Sequence, residues 1–421
     1  MKKKQQSQDK RVQTLALVSL GCAKNAVDLQ VMAGNLLKEG FVLTSNHDEA
    51  DVVIVNTCSF IESAREEAEA EITRALSLKA RGKYGQVIVT GCYPQRYPKA
   101  KAKFPGVDAW QGVPKEWIES KTPGLRLTGR AFAYLKIAEG CAHRCAYCAI
   151  PGIRGKYRSR PAKSILEEAK VLIQTGCREL NIVAQDPMLY GIDLKDGWDL
   201  TRLLWELDKI RGDFWVRVLY SYPNEITEGF LDWLNTSKHA ARYVDVPLQH
   251  TNEVVLKKMN RGAAIEATRV AAEALRLAVP SVTLRTTIMT GFPGETPRRF
   301  TELMADLKRM QFDHLGAFAF SPEEGTKAAK MSGRPSRALA EAREKEVMTL
   351  AKSIWRIRAR RQIGTVQRAL VVAPGVARLE SQAPDVDGVV RGDFAAVGEF
   401  IWVKIEAVRG FDFEAVEVEV E

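Results

Sequence analysis

The run KIAEGCAHRCAYC, residues 136–148, closes a short β-rich stretch at 134–137 and opens at once into Cys141, Cys145 and Cys148, spaced C-x3-C-x2-C. A loop this short can set three thiolates around one face of a cubane iron–sulfur cluster, leaving the fourth iron open to a ligand with amino and carboxylate groups. Zinc is the plainer alternative, but structural zinc takes four ligands, and His143 lies at a spacing that does not match the usual finger. His143 therefore reads as a loop residue. Downstream, strand-like runs at 179–183, 215–219, 243–246, 283–289 and 314–320 alternate with stretches of helical periodicity. Six β/α units predict an incomplete relative of the eightfold barrel, with its functional residues at the C-terminal ends of the strands.

Upstream, TLALVSL (14–20), DVVIVN (51–56) and QVIVT (86–90) are strand-like, and 26–39 and 62–79 are helical. This βαβαβ order predicts a parallel sheet with right-handed crossovers. Each strand runs into a cysteine: Cys22 in LGC, Cys58 in NTC and Cys92 in TGC. The C-terminal ends of parallel strands share one edge, so residues far apart in sequence can converge there. Free cysteine also packs as a small hydrophobe, which is the reading for Cys177. The equivalent placement of the other three argues instead for a second open cluster. A low-potential cluster with an open iron brings radical chemistry at an unactivated C–H bond within reach.

Beyond a basic helix at 338–361, short strands broken by Gly, Pro and Asp (367–373, 388–391, 399–408, 413–420) predict a small antiparallel barrel. The chain thus reads as α/β: an N-terminal parallel βαβ domain (12–125), a central partial (β/α)6 barrel (130–360) and a C-terminal antiparallel β-barrel (363–421). The formal charge of the 421 residues is +10, which hints at an anionic partner such as RNA. Residues 363–421, however, hold 11 acidic and 5 basic side chains, a net of −6, leaving +16 for the rest. An odd count of seven cysteines suits metal or redox chemistry better than a disulfide framework. No apolar run of ~18 residues occurs, and residues 1–11 are basic and polar, so a cytoplasmic protein with no membrane partner is expected.

The run KIAEGCAHRCAYCAIPGIRGKYRSRP (136–161) closely resembles the cluster loop of the radical S-adenosylmethionine methylthiotransferases. SLGCAKNAVDLQ (19–30), NTCSFIESA (56–64) and GCYPQRY (91–97) are similar to that family's N-terminal motifs. TGFPGET (290–296) and FSPEEGT (320–326) match further signatures, and SQAPDVDG (381–388) resembles the start of its C-terminal TRAM domain. The resemblance implies two 4Fe-4S clusters, one on Cys141, Cys145 and Cys148 and one on Cys22, Cys58 and Cys92. It also implies S-adenosylmethionine: one molecule cleaved at the first cluster to a radical that removes hydrogen from the substrate, another methylating sulfur held on the second. A low-potential electron donor and a sulfur donor are implied as partners. Cofactor contacts are implied at Gln185 and Asp186 in VAQD, at Arg285, and at Gly291, Phe292, Gly294 and Glu295 in GFPGE. Taken alone, GFPGE could be a tight turn.

Most family members modify adenosine near the tRNA anticodon, while one branch modifies an aspartate β-carbon of small-subunit ribosomal protein S-twelve. YVDVPLQH (243–250), LRTT (284–287) and VAQD followed by Tyr190-Gly191 resemble the second branch. Charge points the same way, because a TRAM domain that grips tRNA should be basic, and an acidic one suits a basic protein. The overall +10 favours the alternative, a tRNA adenosine methylthiotransferase. Pro187-Met188-Leu189 departs from the small polar residues usual after VAQD.

Overall fold

The computed structural model describes residues 12–46, 50–114, 125–262 and 265–420. The chain divides into two compact units after Leu125. In the first, β1 (Thr14–Ser19), β2 (Val42–Leu43), β3 (Ala50–Thr57), β4 (Tyr84–Gly91) and β5 (Ala109–Trp110) form a parallel sheet in the order β2-β1-β3-β4-β5. Helices α1 (Ala23–Lys38) and α2 (Glu62–Ala80) are the crossovers, and the short α3 (Cys92–Arg96) follows β4. The central strands are buried on both faces, which is why they read as continuous β-branched runs rather than alternating ones. The sheet has two strands more than the sequence suggests; both are two-residue edges.

The second unit opens with β6 (Phe132–Lys136) and the hairpin of β7 (Ala138–Glu139) with β8 (Arg158–Ser159), which encloses the cysteine loop and α4 (Ile150–Arg154). Then α5 (Ala162–Gln174), β9 (Glu179–Val183), α6 (Leu200–Asp208), β10 (Trp215–Val218), α7 (Glu228–Thr236), β11 (Ala240–Asp245), α8 (Glu253–Lys258), α9 (Ile265–Ala278), β12 (Thr283–Thr290), α10 (Pro297–Met310) and β13 (His314–Ala319) complete the β/α alternation. All six strands are parallel, in the order β13-β12-β11-β10-β9-β6, so the sheet is the open (β/α)6 barrel the alternation predicts. Asp199, Thr227, Asn252 and Thr296 cap α6, α7, α8 and α10 through their side chains, satisfying backbone N–H groups that a helix start leaves open.

Alternation along each strand sorts the two faces. Leu180, Ile182, Val216, Val218, Val244, Leu284 and Ile288 point outward and pack under the helices with Leu203, Leu204, Trp233 and Leu303. The inner face is polar. Its N-terminal half meets the C-terminal β-barrel, formed by β14 (Val366–Ala373), β15 (Val376–Leu379), β16 (Val390–Arg391), β17 (Phe400–Arg409) and β18 (Asp412–Glu417), closed in the order β14-β15-β16-β18-β17. Glu179 accepts from Arg217 at 2.7 Å and from Arg378 of the β-barrel, all three buried. Tyr134 donates to Asp385, and Tyr243 and Arg285 both donate to Asp387, at 2.7 and 2.6 Å. The 24-residue α11 (Arg337–Arg360) is shared, with Val347 and Ala351 in the central core and Trp355 and Ala359 in the β-barrel's own core.

Candidate functional site

In the first unit β1, β3 and β4 end at one edge. Thr57 pairs with Gly91, so the residues that follow, Cys58 and Cys92, leave the sheet side by side, and Ser19 pairs with Asn56 on the other flank. Asn25, in the first turn of α1, ties the three departures together. Its Nδ2 donates to the carbonyls of Leu20 (3.2 Å) and Thr57 (3.0 Å), and its backbone carbonyl accepts from Asn56 Nδ2 at 2.6 Å. Its Oδ1 faces Cys92 Sγ at 3.5 Å. Gly21 has φ +94°, and a Cβ there would stand 2.8 Å from Cys58 Cβ and 3.3 Å from its Sγ, so only glycine lets the Cys22 turn approach Cys58. Cys58 and Cys92 thus follow neighbouring strand ends and the Cys22 turn lies against Cys58, the three graded from exposed (Cys22) through half-buried (Cys58) to buried (Cys92).

In the second unit the Cys141–Cys148 loop leaves the β7–β8 hairpin through Gly140, where φ is +74° and a Cβ would lie 2.2 Å from the Lys156 carbonyl oxygen. The loop is clamped from two sides. Ala146 N donates to Met259 O (2.9 Å), Asn260 Nδ2 to Arg144 O (2.7 Å) and Ala328 N to Ala146 O (2.8 Å). The three thiols are half-buried and free. Burial, with the neighbouring cysteines and Asp186 adding, pushes the Cys141 thiol up to about 11, and burial with the other two cysteines pushes Cys148 up to about 12.

Beneath the loop lies Glu139, 1% exposed. Burial alone would raise its carboxyl, but Lys136 and Arg154 hold it down to about 2. Its Oε1 also accepts from Gln185 Nε2 at 2.9 Å and from Gly140 N at 3.2 Å. Gln185 is thereby fixed beside the cysteine loop, with its own Oε1 buried and unpartnered. Asp186 commits both carboxylate oxygens to the protein: Oδ1 caps Met188 N at 3.1 Å in the Pro187–Leu189 turn, and Oδ2 lies 2.6 Å from His143 Nε2. Phe292 is fully buried between Tyr147 of the loop and Phe320.

Gly291, Gly294 and Glu295 close the turn after β12 on itself. Glu295 accepts from Gly291 N (2.9 Å) and Arg343 (2.6 Å) and faces His250 Nε2 at 3.3 Å, while Gly294 N donates to Gly333 O. His250 Nδ1 accepts from the backbone N–H groups of Thr251 and Asn252, which places its proton on Nε2, toward Glu295. Arg285 stands apart from these residues. It is third in β12, on the inner face, with its guanidinium on Asp387 and the Val386 carbonyl.

At the C-terminal strand ends the structure also leaves Ser221 Oγ, Gln249 Oε1 and Thr251 Oγ1 buried without partners. Tyr220 and Gln249, just past β10 and β11, hold left-handed backbone at φ 74° and 68°. Unmet polar atoms and backbone strain gathered at one mouth are the mark of a ligand site. Together with the three half-buried thiols of one short loop, they fit an iron–sulfur cluster and a polar ligand with amino and carboxylate groups. Among the described residues no three His, Cys, Asp or Glu close on a single metal ion, so neither thiol set is a ready mononuclear site. A cavity of about 470 Å³ lined by Arg242, Asp313, His314, Trp355 and Arg358 lies at the opposite strand ends and contains none of the thiols.

An open parallel (β/α)6 barrel with a three-cysteine loop after its first strand defines the radical S-adenosylmethionine class, and residues 135–307 match the family model "Radical SAM superfamily". Residues 14–112 match "Uncharacterized protein family UPF0004". Ribosomal protein uS12 methylthiotransferase RimO from Opitutus terrae is 37% identical, covering 95% of this chain and 96% of its own length. The proteins of that name from Geobacter sulfurreducens (38%, covering 94% and 97%) and Syntrophus aciditrophicus (39%, covering 96% and 98%) are equally similar. The chain belongs to the RimO family of methylthiotransferases. Among solved structures, the radical S-adenosylmethionine methyltransferase TsrM from Kitasatospora setae shares the fold at a TM-score of 0.55 and 17% identity, over 75% of this chain and 77% of that one. No helix among the described residues is long and apolar enough to cross a membrane.

Proposed function

We propose that the protein adds a methylthio group to the β-carbon of an aspartate in ribosomal protein S-twelve, using S-adenosylmethionine and two 4Fe-4S clusters. The observation that carries this reading is the pair of three-cysteine sets, Cys22/Cys58/Cys92 after strand ends of the first unit and Cys141/Cys145/Cys148 in one loop of the second, in a chain 37–39% identical to RimO proteins along nearly its whole length. When bound, the clusters and S-adenosylmethionine supply one-electron reduction, hydrogen abstraction and the methylthio group. The chain's own part is placement. Each thiol set holds one cluster, Asn25 and Gly21 keep the first set convergent, and the Glu139 cradle fixes Gln185 beside the second. The buried, unpartnered oxygens of Gln185, Ser221, Gln249 and Thr251 offer hydrogen bonds to S-adenosylmethionine and to the substrate at the barrel mouth. The Gly291–Glu295 turn, stiffened by Arg343 and His250, shapes the wall opposite, and Phe292 seats it against the cysteine loop.

The acidity of the C-terminal barrel carries less of the substrate argument than its net charge suggests. Asp385 and Asp387 are engaged by Tyr134, Tyr243 and Arg285, and Glu380 accepts from the Arg242 backbone, so three of its acids serve the junction inside this unit. A low-potential electron donor and a sulfur donor complete the reaction, and action on a ribosomal protein puts it in the cytoplasm. The test is mass spectrometry of ribosomal proteins and tRNA nucleosides from a strain lacking the gene. Loss of the methylthio group from S-twelve is expected; loss from tRNA alone sinks the assignment.

A further inference from the structure

Arg261 follows α8 and is 4% exposed. Its Nη2 donates to the Pro247 carbonyl at 2.9 Å, its guanidinium lies 4.1 Å above the Tyr222 ring, and its Nη1 reaches Tyr147 Oη at 3.5 Å and Cys145 Sγ at 4.0 Å. Its Nε has no partner, and among the described residues its contacts are a carbonyl, two tyrosines and a thiol rather than a carboxylate. Tyr222 in turn stacks on His143 at 3.9 Å and 12°, and His143 meets Asp186 at 2.6 Å. Arg261 thus ends a stack that runs from Asp186 across the cysteine loop to a thiol.

A guanidinium stays protonated in any protein, and burying one without an anion is strongly unfavourable. Among the described residues, the anion that would stand beside Arg261 is the set of thiolates that forms when Cys141, Cys145 and Cys148 take up a cluster, with Cys145 Sγ already 4.0 Å from Nη1. We propose that Arg261 is the buried counter-ion of this cluster and raises its reduction potential. The inference rests on the cluster assignment above. On reduction one electron passes from an external low-potential donor to the cluster, no proton or atom moves, and the centre becomes more negative by one charge. A fixed cation a few ångströms away favours that more negative form, by well over tenfold in population at an effective dielectric of about 20.

The test is an electron paramagnetic resonance titration of the full chain, without S-adenosylmethionine, with titanium(III) citrate as donor. Cys22, Cys58 and Cys92 are replaced by alanine in the parent, so that one cluster is observed. Arg261→Met should keep iron and shift the reduced-to-oxidised ratio at a fixed potential at least tenfold toward oxidised, about 59 mV downward for one electron. Arg261→Lys, which keeps the charge, should restore most of the shift. Iron lost in Arg261→Met but kept in Arg261→Lys also supports the counter-ion role. An unchanged midpoint in Arg261→Met, or iron lost equally in both variants, overturns it. A parent that binds no iron would instead refute the cluster assignment itself.

Discussion

Replacing Asn25 by alanine should cost the first unit its cluster while leaving the second unit's intact. Asn25 is fully buried, and its Nδ2 satisfies the carbonyls of Leu20 and Thr57, the residues that lead into the Cys22 and Cys58 turns. Alanine removes the donor without admitting water. Each buried acceptor left unmet costs about 1–3 kcal/mol, so the two together cost roughly 2–6 kcal/mol. Against a net stability of about 5–15 kcal/mol the unit still folds, but the turns relax and the three thiols no longer share a face. Iron and sulfide analysis after anaerobic reconstitution should fall from about eight irons per chain to about four, the content of one 4Fe-4S cluster. Cleavage of S-adenosylmethionine to 5'-deoxyadenosine should persist while methylthio product disappears. Cys22→Ala separates the two effects, because Cys22 is exposed and its loss should remove iron with little change in melting temperature. Full iron content in Asn25→Ala, with an unchanged melt, would refute the view that this amide organises the thiols.

Other substitutions test the remaining parts. Glu179→Gln strands the buried cations Arg217 and Arg378, a loss of about 3–5 kcal/mol. Over a unit of about 300 residues this lowers the melting temperature by roughly 5–8 °C in calorimetry. Although burial pushes the other way, Arg378 and Arg217 lower the Glu179 pKa, and His314 and Arg285 lower that of Asp387. A depressed folded pKa means this stability is present above the unfolded value of about 4 and is lost as pH falls through the folded one. Thermal scans from pH 7 to 3 should therefore steepen below about pH 4 in the parent and less so in Glu179→Gln. Gly140→Ala forces a Cβ onto the Lys156 carbonyl from a left-handed backbone, a strain of at least about 1–3 kcal/mol, and iron should fall by about half. Arg285→Met should lower the melting temperature by removing the guanidinium from the buried Asp387, which keeps Tyr243 and His314, yet leave S-adenosylmethionine affinity in equilibrium dialysis within about twofold.

Much of the fold is legible because parallel strands buried on both faces have little choice of residue. ADVVIVNT and TLALVS can hardly be anything else, whereas Val42–Leu43 and Ala109–Trp110 are too short to show a period. The six cysteines are legible because Cys22, Cys58 and Cys92 each follow a strand end, where parallel sheets gather residues, and Cys141, Cys145 and Cys148 are closely spaced in one loop. The supports around them are not. Asn25 reaches 31 to 67 positions along the chain, and Arg261 meets a cysteine 116 residues away, so neither has a local pattern. Glu139 does leave a trace, an acid three residues after Lys136 in an otherwise apolar run, which a satisfied-charge argument would have marked. Arg285 shows the opposite failing. The family resemblance implied a cofactor contact there, but Arg285 is engaged by Asp387, and five residues of strand put roughly 16 Å between it and the end of β12. The net −6 of the C-terminal segment likewise counts acids such as Asp387 that are internal partners rather than surface.

The central claim is the chemistry and its target, and one reaction tests it most directly. Purified, reconstituted full-length protein is incubated with S-adenosylmethionine, sulfide, a low-potential reductant and recombinant ribosomal protein S-twelve, and the S-twelve peptides are read by tandem mass spectrometry. The account predicts one methylthio group replacing one hydrogen on the β-carbon of a single aspartate, absent when Cys141 or Cys58 is alanine. Unmodified S-twelve, with methylthio adenosine formed when tRNA is supplied instead, would contradict it.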